Sequence, residues 1–125
     1  MEDGSELGDA DFTGGMRWRS RGMVRDVSIP LVRLHVGEQG LAVRPTNPGG
    51  ILQMVPELFI PWHDVSKAER VRGPIIRFPG VRIFAQKAEG PIVFWTFAPE
   101  EVLRAMERHG VVVDRIVHRV PLLGP

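Results

Sequence analysis

The stretch PLVRLHVGEQGLAVRP, residues 30–45, constrains the fold most. Val32, Leu34 and Val36 fall on one side of an extended chain, and Arg33 and His35 on the other. That period of two belongs to a strand, not a helix. GEQG follows at 37–40, and Leu41 and Val43 resume the apolar side. Two short strands around a glycine-flanked turn predict an antiparallel hairpin with one face on a core and one in water.

Much of the remaining chain reads the same way. MRWRSRGMVRD, residues 16–26, predicts a strand with Met16, Trp18 and Ser20 on one side and Arg17, Arg19 and Arg21 on the other, bent or bulged at Gly22. TNPGG, residues 46–50, reads as a loop. ILQMV, residues 51–55, reads as a lid over an open end of the core or a short edge strand. In ELFIPW, Leu58 and Ile60 alternate with Phe59, and Pro61 lacks the N–H a central strand needs, so this run belongs at an edge or a strand end. Asp64 is expected to accept backbone N–H groups in the turn that follows. SKAERV (66–71), IIRF (75–78) and VRIFAQK (81–87) read as strands, with Pro79-Gly80 as a turn. IVFWTF, residues 92–97, is rich in β-branched and aromatic residues on both sides. Its second side needs a cover, which a helix can supply.

APEEVLRAMERHG, residues 98–110, changes period. Val102, Leu103 and Met106 recur at helical spacing, beside Ala105. Pro99 suits the first turn, Glu100 and Glu101 suit the positive end of the helix, and Arg108 and His109 suit the negative end. Gly110 stops it. So short a helix needs a sheet to pack on.

A chain of 125 residues supports one core. It contains no cysteine, which excludes disulfides, thiol chemistry and cysteine-bound metals, and suits the cytoplasm. No apolar run approaches the roughly 20 residues that cross a bilayer. Residues 1–15 carry five acids and no base, whereas the rest carries 16 basic and 10 acidic groups. The division expected is a disordered acidic tail at 1–15, a domain at 16–110, and an extension at 111–125. That extension is a final edge strand or a dimer arm, ending in Leu122 and Leu123.

The sequence points to no catalytic residue, metal site or cofactor. His63 and Asp64 are adjacent, but neighbours in an extended chain point apart, and a catalytic pair needs a third group. His35, His63, His109 and His118 lack ligand spacing. TNPGG has neither the Lys nor the hydroxyl of a phosphate loop. The arginines are scattered singly over strands, unlike a nucleic-acid groove. Trp62, Trp95 and Phe97 are candidates for the lining of a ligand pocket, but read first as core.

The segment Ile60-Pro61-Trp62-His63-Asp64-Val65 resembles the strand and turn of small bacterial pleckstrin-homology-like (PH-like) and GRAM-like domains. IVFWTFAPEEVLRAM is similar to their last strand and helix. The resemblance spans roughly residues 17–110. It implies a mainly β fold: a strongly bent antiparallel sheet, or partly open barrel, capped by one C-terminal helix. It implies structural roles for Ile60, Pro61, Trp62 and Asp64, and no enzyme activity. Some relatives bind phosphoinositides at the loop between their first two strands, which places possible anion or lipid contact here at Arg19, Arg21 and Arg25. The expected function is binding of a protein or peptide partner, with weak attachment to an anionic membrane as one alternative. The other alternative is a small-molecule or enzyme site formed only in the tertiary fold.

Overall fold

The computed structural model describes residues 9–46 and 55–125. Among them lie eight strands and a single α-helix. The strands are β1 (Ala10–Ser20), β2 (Met23–Val36), β3 (Gly40–Pro45), β4 (Leu58–Pro61), β5 (Val65–Arg72), β6 (Pro79–Ala85), β7 (Ile92–Trp95) and β8 (Val113–Arg119). The helix, α1, spans Pro99–Glu107. The strands form one open sheet in the order β4-β3-β2-β1-β7-β6-β5-β8. Seven strands pair antiparallel in succession. β8 joins β5 in parallel, which needs a crossover connection, and α1 lies on that path. The expected bent sheet capped by a C-terminal helix is therefore present, with one parallel strand added at its edge.

The bend has a local cause in β1. Its first half pairs with the second half of β2, its second half with the first half of β2 and with β7, and the register shifts between Gly14 and Met16. A Cβ on Gly14 would lie 2.0 Å from the Trp95 carbonyl oxygen, and one on Gly15 2.4 Å from that of Val27. Only glycines let three strands meet this closely at the corner.

The sheet has two apolar faces. On the inner face Met16, Leu34, Leu41, Ile83 and Phe94 bury against Val102, Leu103 and Met106 of α1. Full burial of each of these larger side chains contributes about 2–3 kcal/mol. On the outer face a smaller cluster joins Val71, Val93, Trp95 and Val120, with Ile29 and Phe78 against it. β7 supplies both faces: Ile92 and Phe94 point in, Val93 and Trp95 out. The helix covers the inner side of β7. Its outer side is covered by Phe78 and the C-terminal segment instead.

Several expectations need correction. The acidic segment was expected as tail through residue 15, yet β1 begins at Ala10, whose partner is Val36. Residues 1–8 lie outside the described residues, as do 51–54 of the ILQMV run. Residues 16–26 are not one strand. Arg21 and Gly22 have positive φ (53° and 78°) and form a two-residue hairpin loop between Ser20 and Met23, the conformation that suits the twist of paired strands. IIRF is a loop, and Pro79-Gly80 opens β6 rather than turning the chain. Pro79 lacks an N–H but accepts from Thr96 through its carbonyl (3.1 Å), so it starts a strand without loss. The extension at 111–125 resolves as edge strand β8 followed by a segment with Val120 fully buried. No helix among the described residues is long and apolar enough to cross a membrane.

Candidate functional site

The β5–β6 connection creates the most distinctive surface. β5 ends at Arg72, and Gly73 N–H donates to the Phe78 carbonyl (2.9 Å) while Phe78 N–H donates to that of Ile76 (2.6 Å). The loop folds back so tightly that a Cβ on Gly73 would sit 2.4 Å from the Ile76 oxygen. Closed in this way, it turns Phe78 toward the outer face and pushes Ile75 and Ile76 into solvent, 79% and 74% exposed. Across from them stands Phe97, 74% exposed, in the link between β7 and α1. That link is fixed by Thr96, whose Oγ1 accepts the Ala98 N–H at 3.0 Å.

Between these groups lies a cleft of about 690 Å³. Trp95 forms its floor, Phe78 its wall, and Ile75, Ile76 and Phe97 its rim, with Pro74, Ser28 and Ile29 completing the lining. Phe78 meets Trp95 edge-on (6.2 Å, 85°) and Phe97 at a tilt (5.0 Å, 47°), so the three rings form a continuous aromatic surface. One end is polar. Asp26 accepts from Trp95 Nε1 (3.1 Å) and from Arg17 Nε (2.9 Å). Arg17 also lies 5.6 Å over the Trp95 ring and donates to the carbonyls of Pro121 and Gly124. The C-terminal segment is thereby tied beside the cleft. These polar groups are committed to one another, which leaves the free surface apolar. It is the largest grouping of exposed apolar side chains around a concavity among the described residues.

The sequence-derived sites lie elsewhere. Arg19, Arg21 and Arg25 gather at the β1–β2 hairpin end, where the Glu89 carboxylate already accepts the Arg21 N–H (2.8 Å) and Gly22 N–H (2.6 Å). Two adjacent amides of this kind form an anion-binding concavity, and here a side chain of the protein fills it. Ile60 is buried in the core on β4, and Pro61 ends that strand. Trp62–Asp64 forms a single 3₁₀ turn. Trp62 donates from Nε1 to the Gly37 carbonyl (3.0 Å) and stacks on His109 (4.6 Å, 12°). Asp64 is buried and meets His63 at 3.6 Å and Lys87 at 3.9 Å, while its carbonyl accepts the Gln86 N–H. The turn brings His63 back toward Asp64, which an extended chain would not do, but His63 remains 76% exposed. These residues pin a corner of the sheet.

One cluster could suggest a metal: Glu69, Asp114 and His118 place three ligand atoms within 4.8 Å of one another. The sequence did not group these residues, because β5–β8 pairing assembles them. Glu69 is already matched by Arg82 (2.9 Å) and Lys67 (3.2 Å). Burial opposes its charge, but the hydrogen bonds from Arg82 and Lys67 outweigh this and hold its carboxyl below the usual range. The Asp114 carboxyl is likewise lowered, by His118 first and then by the Ile116 amide. Two cations beside the trio make it an ion-pair network that fastens β8 to the sheet.

Neither sheet edge offers a clean ladder. β4 has four residues and ends in Pro61. β8 carries extra residues between its paired positions Asp114 and His118, and the Ile116 amide is taken by Asp114 Oδ1 (2.9 Å). Short, proline-ended and bulged edges resist addition of another strand. The cleft would have been hard to find from sequence. Ile75 and Ile76 read there as strand residues, and core is preferred to pocket lining for Trp95 and Phe97; the structure instead places both in the cleft lining, with Phe97 74% exposed rather than in the core.

Compared with known proteins, the chain matches no family model and no curated protein.

Proposed function

We propose that this chain is a non-enzymatic, PH-like docking module that holds a protein or peptide partner in the outer cleft. One observation carries the reading: three large apolar side chains, each at least 74% exposed, ring a concavity floored by Trp95. A small ligand gains affinity when a pocket encloses most of its surface. Here the largest apolar groups stand at the rim, which suits a partner that brings its own surface to meet them. The PH-like assignment is supported by the order of the first seven strands and by the helix that follows the seventh.

Selection of displayed peptides on the full chain tests this reading. Peptides enriched on the wild type are expected to shift Trp95 emission and to lose binding to the double variant Ile75→Asp, Ile76→Asp. Equal binding to that variant would refute docking in the cleft.

A second copy of the chain is the second reading, favoured by Val112 (68% exposed), Ile116 (72%), Leu122 (60%) and Leu123 (83%). Because the β8 edge is bulged, such a dimer would form through side chains rather than strand pairing. Light scattering that gives a monomer at high concentration removes it. Attachment to anionic lipid through Arg19, Arg21 and Arg25 is less favoured, since Glu89 occupies the hairpin amides between them.

A further inference from the structure

Arg17, Arg82 and Arg115 each stand against a carboxylate of the protein. A group of three other arginines does not. On β5 Ala68 packs in the inner core and Val71 in the outer cluster, so Arg70 and Arg72 point to the inner side. Val120 belongs to the outer cluster, so Arg119 before it points inward as well. Arg119 is the register neighbour of Arg72, and the Val120 N–H donates to the Arg72 carbonyl at 2.9 Å. Paired strands lie about 5 Å apart and same-side residues of one strand about 7 Å, so the three side chains rise from one corner. Arg70 and Arg72 are half-buried and Arg119 is exposed. Among the described residues, none of the three takes part in an ion pair or a side-chain hydrogen bond.

The start of α1 lies beside the same corner. Pro79 is the register neighbour of Arg72 on its other side, and its carbonyl accepts the Thr96 N–H, three residues before α1 begins at Pro99. The N-terminal end of a helix adds positive potential. The acids of that end are directed elsewhere. Glu100 and Glu107 both hold Arg115 of β8, and Glu101 lies about 100° round the axis from that flank, exposed. Like charges side by side on paired strands cost stability, so Arg72 beside Arg119 is a local expense that an external anion offsets.

We propose that Arg70, Arg72 and Arg119 form an anion site for a phosphoryl group carried by a small soluble molecule, on the face of the sheet opposite the docking cleft. One guanidinium satisfies a carboxylate with a two-bond fork. A phosphoryl group offers three terminal oxygens and up to two charges, which three guanidiniums at one corner can share. A lipid headgroup carries the same chemistry. Two of the three arginines are half-buried, however, so a flat bilayer reaches Arg119 before it reaches the other two.

The test is a titration of the full chain with inorganic phosphate, at ionic strength held constant with chloride, followed by the Nε–Hε signals of its arginines in isotope-labelled protein. The signals of Arg70, Arg72 and Arg119 are expected to shift together and to saturate, while that of Arg82 stays in place. R72Q/R119Q should bind phosphate at least about tenfold more weakly, and R72K, which keeps the charge and loses the fork, should fall between the two. Phosphate should raise the urea midpoint of the wild type and not that of R72Q/R119Q. Without phosphate that variant should be no less stable than the wild type, because the like-charge pair is gone. I75D/I76D should bind phosphate as the wild type does, since its substitutions lie at the cleft. Shifts that never saturate, or that are equal in the wild type and R72Q/R119Q, overturn the site. Vesicles of phosphatidylcholine with phosphatidic acid that sediment the wild type but not R72Q/R119Q, when phosphate gives no saturable shift, overturn the soluble source in favour of a headgroup.

Discussion

The two faces of this sheet are built from the same kinds of residue and end in different states. The inner face receives α1, and its contacts are dry: Phe94, Leu103 and Met106 are at most 1% exposed. The outer face receives the Val120 segment and the folded β5–β6 loop, which between them cover Val71, Val93 and much of Trp95. They leave Ile75, Ile76 and Phe97 in water. A helix brings a continuous apolar stripe and closes the face it covers. A strap and a loop cover in pieces and leave a cleft. The difference closes one side of β7 and leaves apolar surface open on the other, which is where the proposed docking would take place.

Substitutions on the two faces should separate these roles. The largest effect is expected inside: Phe94→Ala should cost about 4 kcal/mol in urea denaturation, because the helix-capped core cannot close over the cavity. A loss under 1 kcal/mol would mean that the inner face is far looser than its burial indicates. Next comes the ion-pair network of the outer face. Glu69→Ala should cost about 2 kcal/mol by leaving Arg82, whose side chain is 13% exposed, without its main partner.

Acid should act through the same network. The Glu69 and Asp114 carboxyls lie below their usual range when folded. Their contribution is therefore fully present at neutral pH, above the unfolded carboxylate range. It is lost as pH falls through the lowered folded values. Urea midpoints measured from neutral pH downward should fall less steeply for Glu69→Gln than for the wild type. Parallel slopes would contradict a role for Glu69. The smallest effect on stability is expected at the rim: Ile75→Asp with Ile76→Asp should change it by no more than about 0.5 kcal/mol, since both are already in water. A large loss there would make the rim part of the core.

Local chemistry fixed what could be read from the residues. The hairpin at 30–45 and the helix at 99–107 are legible because their periodicity, turn residues and caps agree. The same patterns misled where one residue type serves two roles. Ile75 and Ile76 have strand propensity, but Gly73 N–H and the Phe78 carbonyl close the loop around them. Pro79-Gly80 carries a turn signature, yet the Thr96 amide recruits Pro79 into a strand. The start of β1 hid in an acidic segment because Asp11 is acceptable at an exposed position beside His35, which it meets at 2.8 Å. The trio Glu69, Asp114 and His118 and the cleft depend on non-local pairings, the parallel docking of β8 above all, and no local signal encodes those. In the segment Ile60-Pro61-Trp62-Asp64 the Asp64 carboxylate meets His63 and Lys87, and it is the Asp64 main-chain carbonyl that accepts the Gln86 N–H.

Amide hydrogen exchange with a cleft-selected peptide tests the division of labour most directly. Bound peptide should slow exchange in residues 73–78 and 96–98 and leave the already protected amides of α1 and β4 unchanged. New protection confined to the β4 edge, to α1 or to the β1–β2 hairpin, with 73–78 unaltered, would place recognition elsewhere and contradict the assignment of the outer cleft.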